Sequence, residues 1–120
     1  MLQVIFISYV LVVIFLSLIP ASGMGGVEYM DKAAHASAYG FMGILAYISF
    51  ETLGKRMIIF IFMFLLGISL EFLQLLVPGR SASVYDALAN TTGLVLSFLL
   101  CWTYSLIPNT APQDAAKVRD

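Results

Sequence analysis

The segment LEFLQLLVPGRSASVYDALAN, residues 70–90, carries Glu71, Gln74, Arg80, Asp86 and Asn90 between and within long apolar runs. A second polar group, Asp31, Lys32, His35 and Tyr39, stands in DKAAHASAY. Glu71 and His35 are candidates for an acid/base pair, because burial and neighbouring charge tune carboxyl and imidazole protonation. Asp86 would orient His35 or Arg80. Arg80 and Lys32 would hold an anion, Arg80 through its two-pronged guanidinium. Ser81 and Ser83, with the first N–H groups of the next helix, would favour the same anion. Gln74, Tyr39 and Asn90 would supply neutral hydrogen bonds. Plainer roles stand beside these. Ser83 can cap a helix with Asp86 three residues on, as in a capping box. His35 can be a satisfied packing residue. Arg80 can pair with Glu71 or Asp86 or snorkel to a lipid phosphate, and Tyr39 and Tyr85 can be interfacial aromatics. No Ser–His–Asp arrangement can be argued.

These side chains stand in a chain of 120 residues that is 61% hydrophobic and 11% charged, with a mean hydropathy of +0.96. Soluble domains are about 45–50% apolar and about 25% charged. The expected class is therefore an all-α integral membrane protein. A net charge of −1 gives no basic surface for nucleic acid. The single cysteine, Cys101, excludes an intrachain disulfide and a CxxC metal motif. No metal or other cofactor is expected, with one His and no H-E-x-x-H. Glu71, Asp86 and His35 could hold a divalent ion only if their helices converge closely.

Four apolar runs approach the roughly 20 helical residues that a hydrocarbon core of about 30 Å requires. They are Leu2–Ile19, Ala33–Phe50, Met57–Val77 and Val84–Leu106, and three of them stop at Pro20, Pro78 and Pro108. The expectation is a four-helix transmembrane domain over 1–108 and a cytoplasmic, disordered tail over 109–120. The residues PASG after the first run suit signal cleavage. No Lys or Arg precedes that run, however, and it exceeds an h-region of about 7–15 residues, so a retained helix is expected. Lys55, Arg56, Lys117 and Arg119 fall on one side of such a bundle and Lys32 and Arg80 on the other. The positive-inside rule then places both termini in the cytoplasm.

Helical periodicity groups the polar residues into stripes. Asp31, His35, Tyr39 and Met42 share one, and Ala36, Gly40 and Gly43 form another expected nearly opposite. Gly67, Glu71 and Gln74 share a face of the third crossing; Asp86, Asn90, Gly93 and Ser97 share one of the fourth. All the ionisable groups fall at the outer-leaflet ends of the second, third and fourth crossings. A charged side chain in hydrocarbon costs at least about 2.5–3.5 kcal/mol. The low-energy arrangement turns the stripes inward, around a polar cavity open to the outside. Gly67, Gly93 and Ser97 would permit tight packing beneath it.

DKAAHASAYGFMG resembles the DKxxHxxxY segment of the VanZ-like family, and EFLQLLVPGRSASVYDALANTTG resembles that family's second block. The matching positions are Asp31, Lys32, His35, Tyr39, Glu71, Gln74, Pro78, Gly79, Arg80, Ser83, Asp86, Asn90 and Gly93. The resemblance implies a multi-pass protein of the bacterial cytoplasmic membrane. Name-giving members are associated with low-level resistance to the glycopeptide teicoplanin. The functional expectation is binding or modification of an anionic envelope lipid or a lipid-linked cell-wall precursor at the outer face. Whether catalysis accompanies binding stays open. The alternative is a structural or accessory protein whose polar cluster only fixes helix packing. Transport is disfavoured, because the polar cluster stops halfway across the bilayer.

Overall fold

The computed structural model describes residues 1–20 and 28–107. Among these the chain is all-helical, with α1 over Leu2–Ser17, α2 over Glu28–Ser49, α3 over Leu53–Gln74 and α4 over Val84–Ser105. The expected tail over 109–120 and the candidate cleavage stretch Ala21–Gly23 lie outside the described residues.

Local chemistry sets the helix limits. Thr52 caps α3, its hydroxyl accepting from the Lys55 N–H, and Ser83 caps α4 by accepting from the Asp86 N–H. At the other end of α3 the backbone tightens before Pro78. Leu75, Leu76 and Val77 each bond to the carbonyl three residues back, which satisfies carbonyls that a continuing helix would have used. Gly79 then turns the chain with φ 77°, a conformation open to glycine at no steric cost. α1 ends at Ser17, short of Pro20. α2 begins earlier than its apolar run and takes Asp31 and Lys32 into the helix.

α2 is the central element, packing most extensively on α4 and also on α1 and α3. Small residues allow this. A Cβ on Gly93 would collide with the Ala36 carbonyl oxygen and lie 2.9 Å from the Gly40 nitrogen. A Cβ on Gly43 would collide with the Ser97 hydroxyl. Hence the Ala36–Gly40–Gly43 row is an interface and does not face away from the bundle. It lies about 100° around the helix from the His35–Tyr39 stripe, so both rows face neighbours. Around this seam, Phe6, Val10 and Val13 of α1 meet Tyr39, Met42, Leu45 and Ala46 of α2, with Met63 of α3 and Leu94 of α4.

The helices run antiparallel in sequence. At one end Gln3 Nε2 donates to the Ser49 carbonyl, and the Tyr47 hydroxyl donates to Ser105 Oγ. Arg56 Nε donates there to the Phe50 and Tyr47 carbonyls, with its guanidinium 3.8 Å from the Tyr47 ring centre. The polar residues of interest lie at the other end.

The outer faces are apolar. Val4, Ile7, Leu11 and Phe15 of α1, Ile58, Ile61, Phe62 and Leu65 of α3, and Leu88, Leu96 and Leu100 of α4 are exposed. Soluble monomers rarely expose patches above a few hundred Å². α3 and α4, each 22 residues, are long and apolar enough to cross a membrane, rising about 33 Å. α1, with 16 residues, is a shorter apolar helix.

Candidate functional site

His35 stands at the centre of the polar end. Its position on α2 places it against α4, where Nδ1 lies 3.1 Å from Asn90 Oδ1. Because an amide oxygen only accepts, this contact puts the proton on Nδ1. In the neutral ring Nε2 then carries the lone pair. One turn earlier, Asp31 Oδ1 is 4.0 Å from Nε2. From α3, Glu71 Oε1 comes within 4.0 Å of Nδ1. Asp86 lies one turn before Asn90 on α4, and is buried on the same face.

Glu71 and Asp86 are 5% and 7% exposed, so both carboxylates are withdrawn from solvent and lipid. Glu71 Oε2 accepts from the Ser83 backbone N–H at 3.2 Å. This contact replaces half of the expected capping box. Ser83 Oγ accepts from Asp86 N–H at 3.4 Å, but the Ser83 N–H goes to Glu71, not to the Asp86 carboxylate. Asp86 is thereby released from the cap. Glu71 Oε1, Asp86 Oδ1 and the Tyr39 hydroxyl are buried and make no hydrogen bond among the described residues. Tyr39 packs over Gly67, where a Cβ would stand 3.1–3.3 Å from its ring and hydroxyl. A side chain at 67 would press directly on that phenol.

The other expected site residues sit around this cluster. Arg80 reaches α1: Nε donates to the Ile19 carbonyl at 2.9 Å and Nη2 to the Leu16 carbonyl at 3.2 Å. Among the described residues it is not ion-paired with Glu71 or Asp86, and Nη1 makes no hydrogen bond. Gln74 also serves α1, donating to the Ser17 carbonyl at 3.2 Å. Lys32 lies over the Tyr85 ring, 5.7 Å from its centre. Ser81 is exposed in the α3–α4 connection. The last turn of α1 was not expected to take part. It has no basic residue of its own, and an uncapped helix end needs outside donors for its carbonyls. That need was the one sequence signal for its role.

A pocket of about 210 Å³ opens between α1, α2 and the Arg80 loop. Asp31, His35, Tyr39 and Arg80 line it, with Val13, Leu16 and Ser17 of α1. Its size is below the roughly 300–1,000 Å³ typical of drug-sized ligands, so it suits a small polar group. A cleft of about 280 Å³ between α3 and α4 is lined by Phe60, Phe64, Leu94, Phe98 and other mainly apolar residues, and no ionisable side chain reaches it.

The model of the VanZ/LLP1 family matches residues 5–107. No curated protein and no solved structure matches the chain. The matched span runs from the first turn of α1 to just past α4, taking in every residue of the polar cluster. The chain belongs to the VanZ/LLP1 family, a membrane-associated family.

Proposed function

We propose that this protein crosses the bacterial cytoplasmic membrane four times, with both termini inside and the polar end outside. There it binds or modifies an anionic envelope lipid or a lipid-linked cell-wall precursor. The observation that carries this reading is the small pocket in which Arg80 faces His35 and Asp31, close to two buried carboxylates with unpaired oxygens. Arg80 Nη1 is available for a phosphate oxygen, while Nε and Nη2 hold the guanidinium in place. The pocket accommodates a head group, and the apolar outer faces accept acyl chains. His35, Glu71 and Asp86 would handle protons if a reaction occurs, and Asn90 would orient His35. A contribution to teicoplanin resistance belongs to the same proposal, as a consequence of occupying or altering such a precursor.

The orientation rests on charge. Lys55 and Arg56 lie at the end opposite the cluster, on the side expected to hold Lys117 and Arg119. A structural reading has its own support, because Gln74 and Arg80 spend donors on α1 carbonyls. Bound lipid distinguishes the two. Protein purified in detergent should retain phospholipid or lipid-linked phosphate, measured by mass spectrometry after detergent exchange. Arg80→Ala should lose it several-fold at unchanged helicity and monodispersity, with Arg80→Lys intermediate. Equal lipid in all three proteins would leave the structural reading in possession.

A further inference from the structure

One oxygen each from Asp31 and Asp86 and one ring nitrogen of His35 lie within 4.8 Å of one another. They come from two helices, so the cluster is a product of the fold, with α2 and α4 drawn together at the Gly40–Gly93 crossing. We propose that Asp31, His35 and Asp86 form a binding site for a divalent cation that prefers nitrogen and oxygen ligands, of the Zn²⁺ or Mn²⁺ kind, with Glu71 beside it.

Proximity of acidic groups alone would not carry this, and a separate observation does. Glu71 and Asp86 are each more than nine-tenths buried, and each has a carboxylate oxygen with no hydrogen-bond partner among the described residues. Glu71 Oε1 lies 4.0 Å from His35 Nδ1, on the other edge of the ring from Nε2, so Asp86 supplies the unpaired oxygen that belongs to this cluster. Buried polar atoms are nearly always paired, and a bound ion is one of the few arrangements that accounts for an unpaired carboxylate. The imidazole is also prepared for coordination. Asn90 Oδ1 accepts from Nδ1–H, which in the neutral ring leaves the Nε2 lone pair on the side of Asp31. A histidine ligand is commonly held in this way, with its second ring nitrogen donating to an oxygen.

The donor set selects the ion. One imidazole and two carboxylates are borderline-to-hard ligands, suited to Zn²⁺ or Mn²⁺ and unsuited to thiolate-seeking Cu⁺. Bonds of about 2.0–2.2 Å require donor atoms roughly 3–3.5 Å apart. Asp31, whose side chain is 60% exposed, has room to close its share of that gap. Three protein ligands leave coordination positions open towards the pocket shared by Asp31, His35 and Arg80. The ion would also offset the negative charge of three carboxylates, which otherwise opposes an anion beside Arg80. The site itself does not depend on the lipid reading.

The test uses the full chain in detergent, stripped with chelator and titrated with Zn²⁺ alone and Mn²⁺ alone. Stoichiometry is read by elemental analysis and affinity by calorimetry. About one equivalent of one of these ions should bind and raise the melting temperature. Asp86→Asn and His35→Gln should each weaken binding by at least about tenfold. Asp31→Asn keeps the shape of an exposed side chain, so it tests the site even if the buried variants fail to fold, and it should weaken binding similarly. Substoichiometric binding of both ions by the wild-type protein would overturn the proposal. So would an affinity unchanged in Asp31→Asn.

Discussion

At the scale of the residue, Glu71 shows how a buried charge is kept. One oxygen takes the Ser83 N–H, and the other faces His35 without a hydrogen bond. Leaving a buried charge so incompletely paired is costly, and a neutral side chain of the same shape avoids that cost. Glu71→Gln keeps the size and an oxygen for Ser83 while removing the charge. If the carboxylate serves a ligand, the variant should melt at or above the wild-type temperature and lose bound ligand. A lower melting temperature with ligand retained in proportion to folded protein would assign Glu71 to packing. The identities of the clustered residues were legible in the sequence, because charged and amide side chains are rare in apolar runs and stand out. Their pairings were not. Ser83 with Asp86 reads locally as a capping box, but a tertiary acceptor on α3 outcompetes the local one. Arg80 read as a partner for Glu71 or Asp86, yet the bare carbonyls at the end of α1 hold two of its nitrogens.

At the scale of the element, the small residues decide how near α2 and α4 can lie. Without a hydrophobic drive between helices in lipid, close backbone approach supplies the packing energy. Gly93 sits where any Cβ would strike Ala36. Gly93→Ala should therefore cost about 1–3 kcal/mol through overpacking and separate His35 from Asn90. Gly54→Ala meets no atom within 4 Å and serves as the control, expected to be neutral or to gain up to about 1 kcal/mol. Thermal unfolding in detergent reads both. Periodicity revealed the inward stripes of α3 and α4, whose buried faces include Gly67, Glu71 and Gln74, and Asp86, Asn90, Gly93 and Ser97. It was less informative for α2. A helix in contact with three others is buried on more than one side, so its two inward rows read as opposite faces. Helix limits shifted by several residues because proline sets where a helix cannot continue, whereas the actual stop is set by the turn before it.

At the scale of the whole molecule, the two ends of the bundle are chemically different. One gathers Asp31, His35, Glu71, Asp86 and Asn90, beside a pocket that Asp31, His35, Tyr39 and Arg80 line and that Glu71, Asp86 and Asn90 do not. The other fixes Arg56 against Tyr47 and the carbonyls of the α2–α3 turn. That asymmetry was predictable from where the charges fall along the chain. A polar cavity was expected at that end as well, but its α1 wall was not, because the last turn of α1 carries no ionisable side chain. An outward-facing site requires the Arg80 connection to be reachable from outside the cell and the α2–α3 turn to be reachable only from within. Ala82 and Glu51 mark these two ends, and both are exposed. In a Cys101→Ser background, Ala82→Cys should react with a membrane-impermeant maleimide in intact cells, and Glu51→Cys only after permeabilisation. Labelling of Glu51→Cys but not Ala82→Cys in intact cells would turn the site towards the cytoplasm and contradict the account.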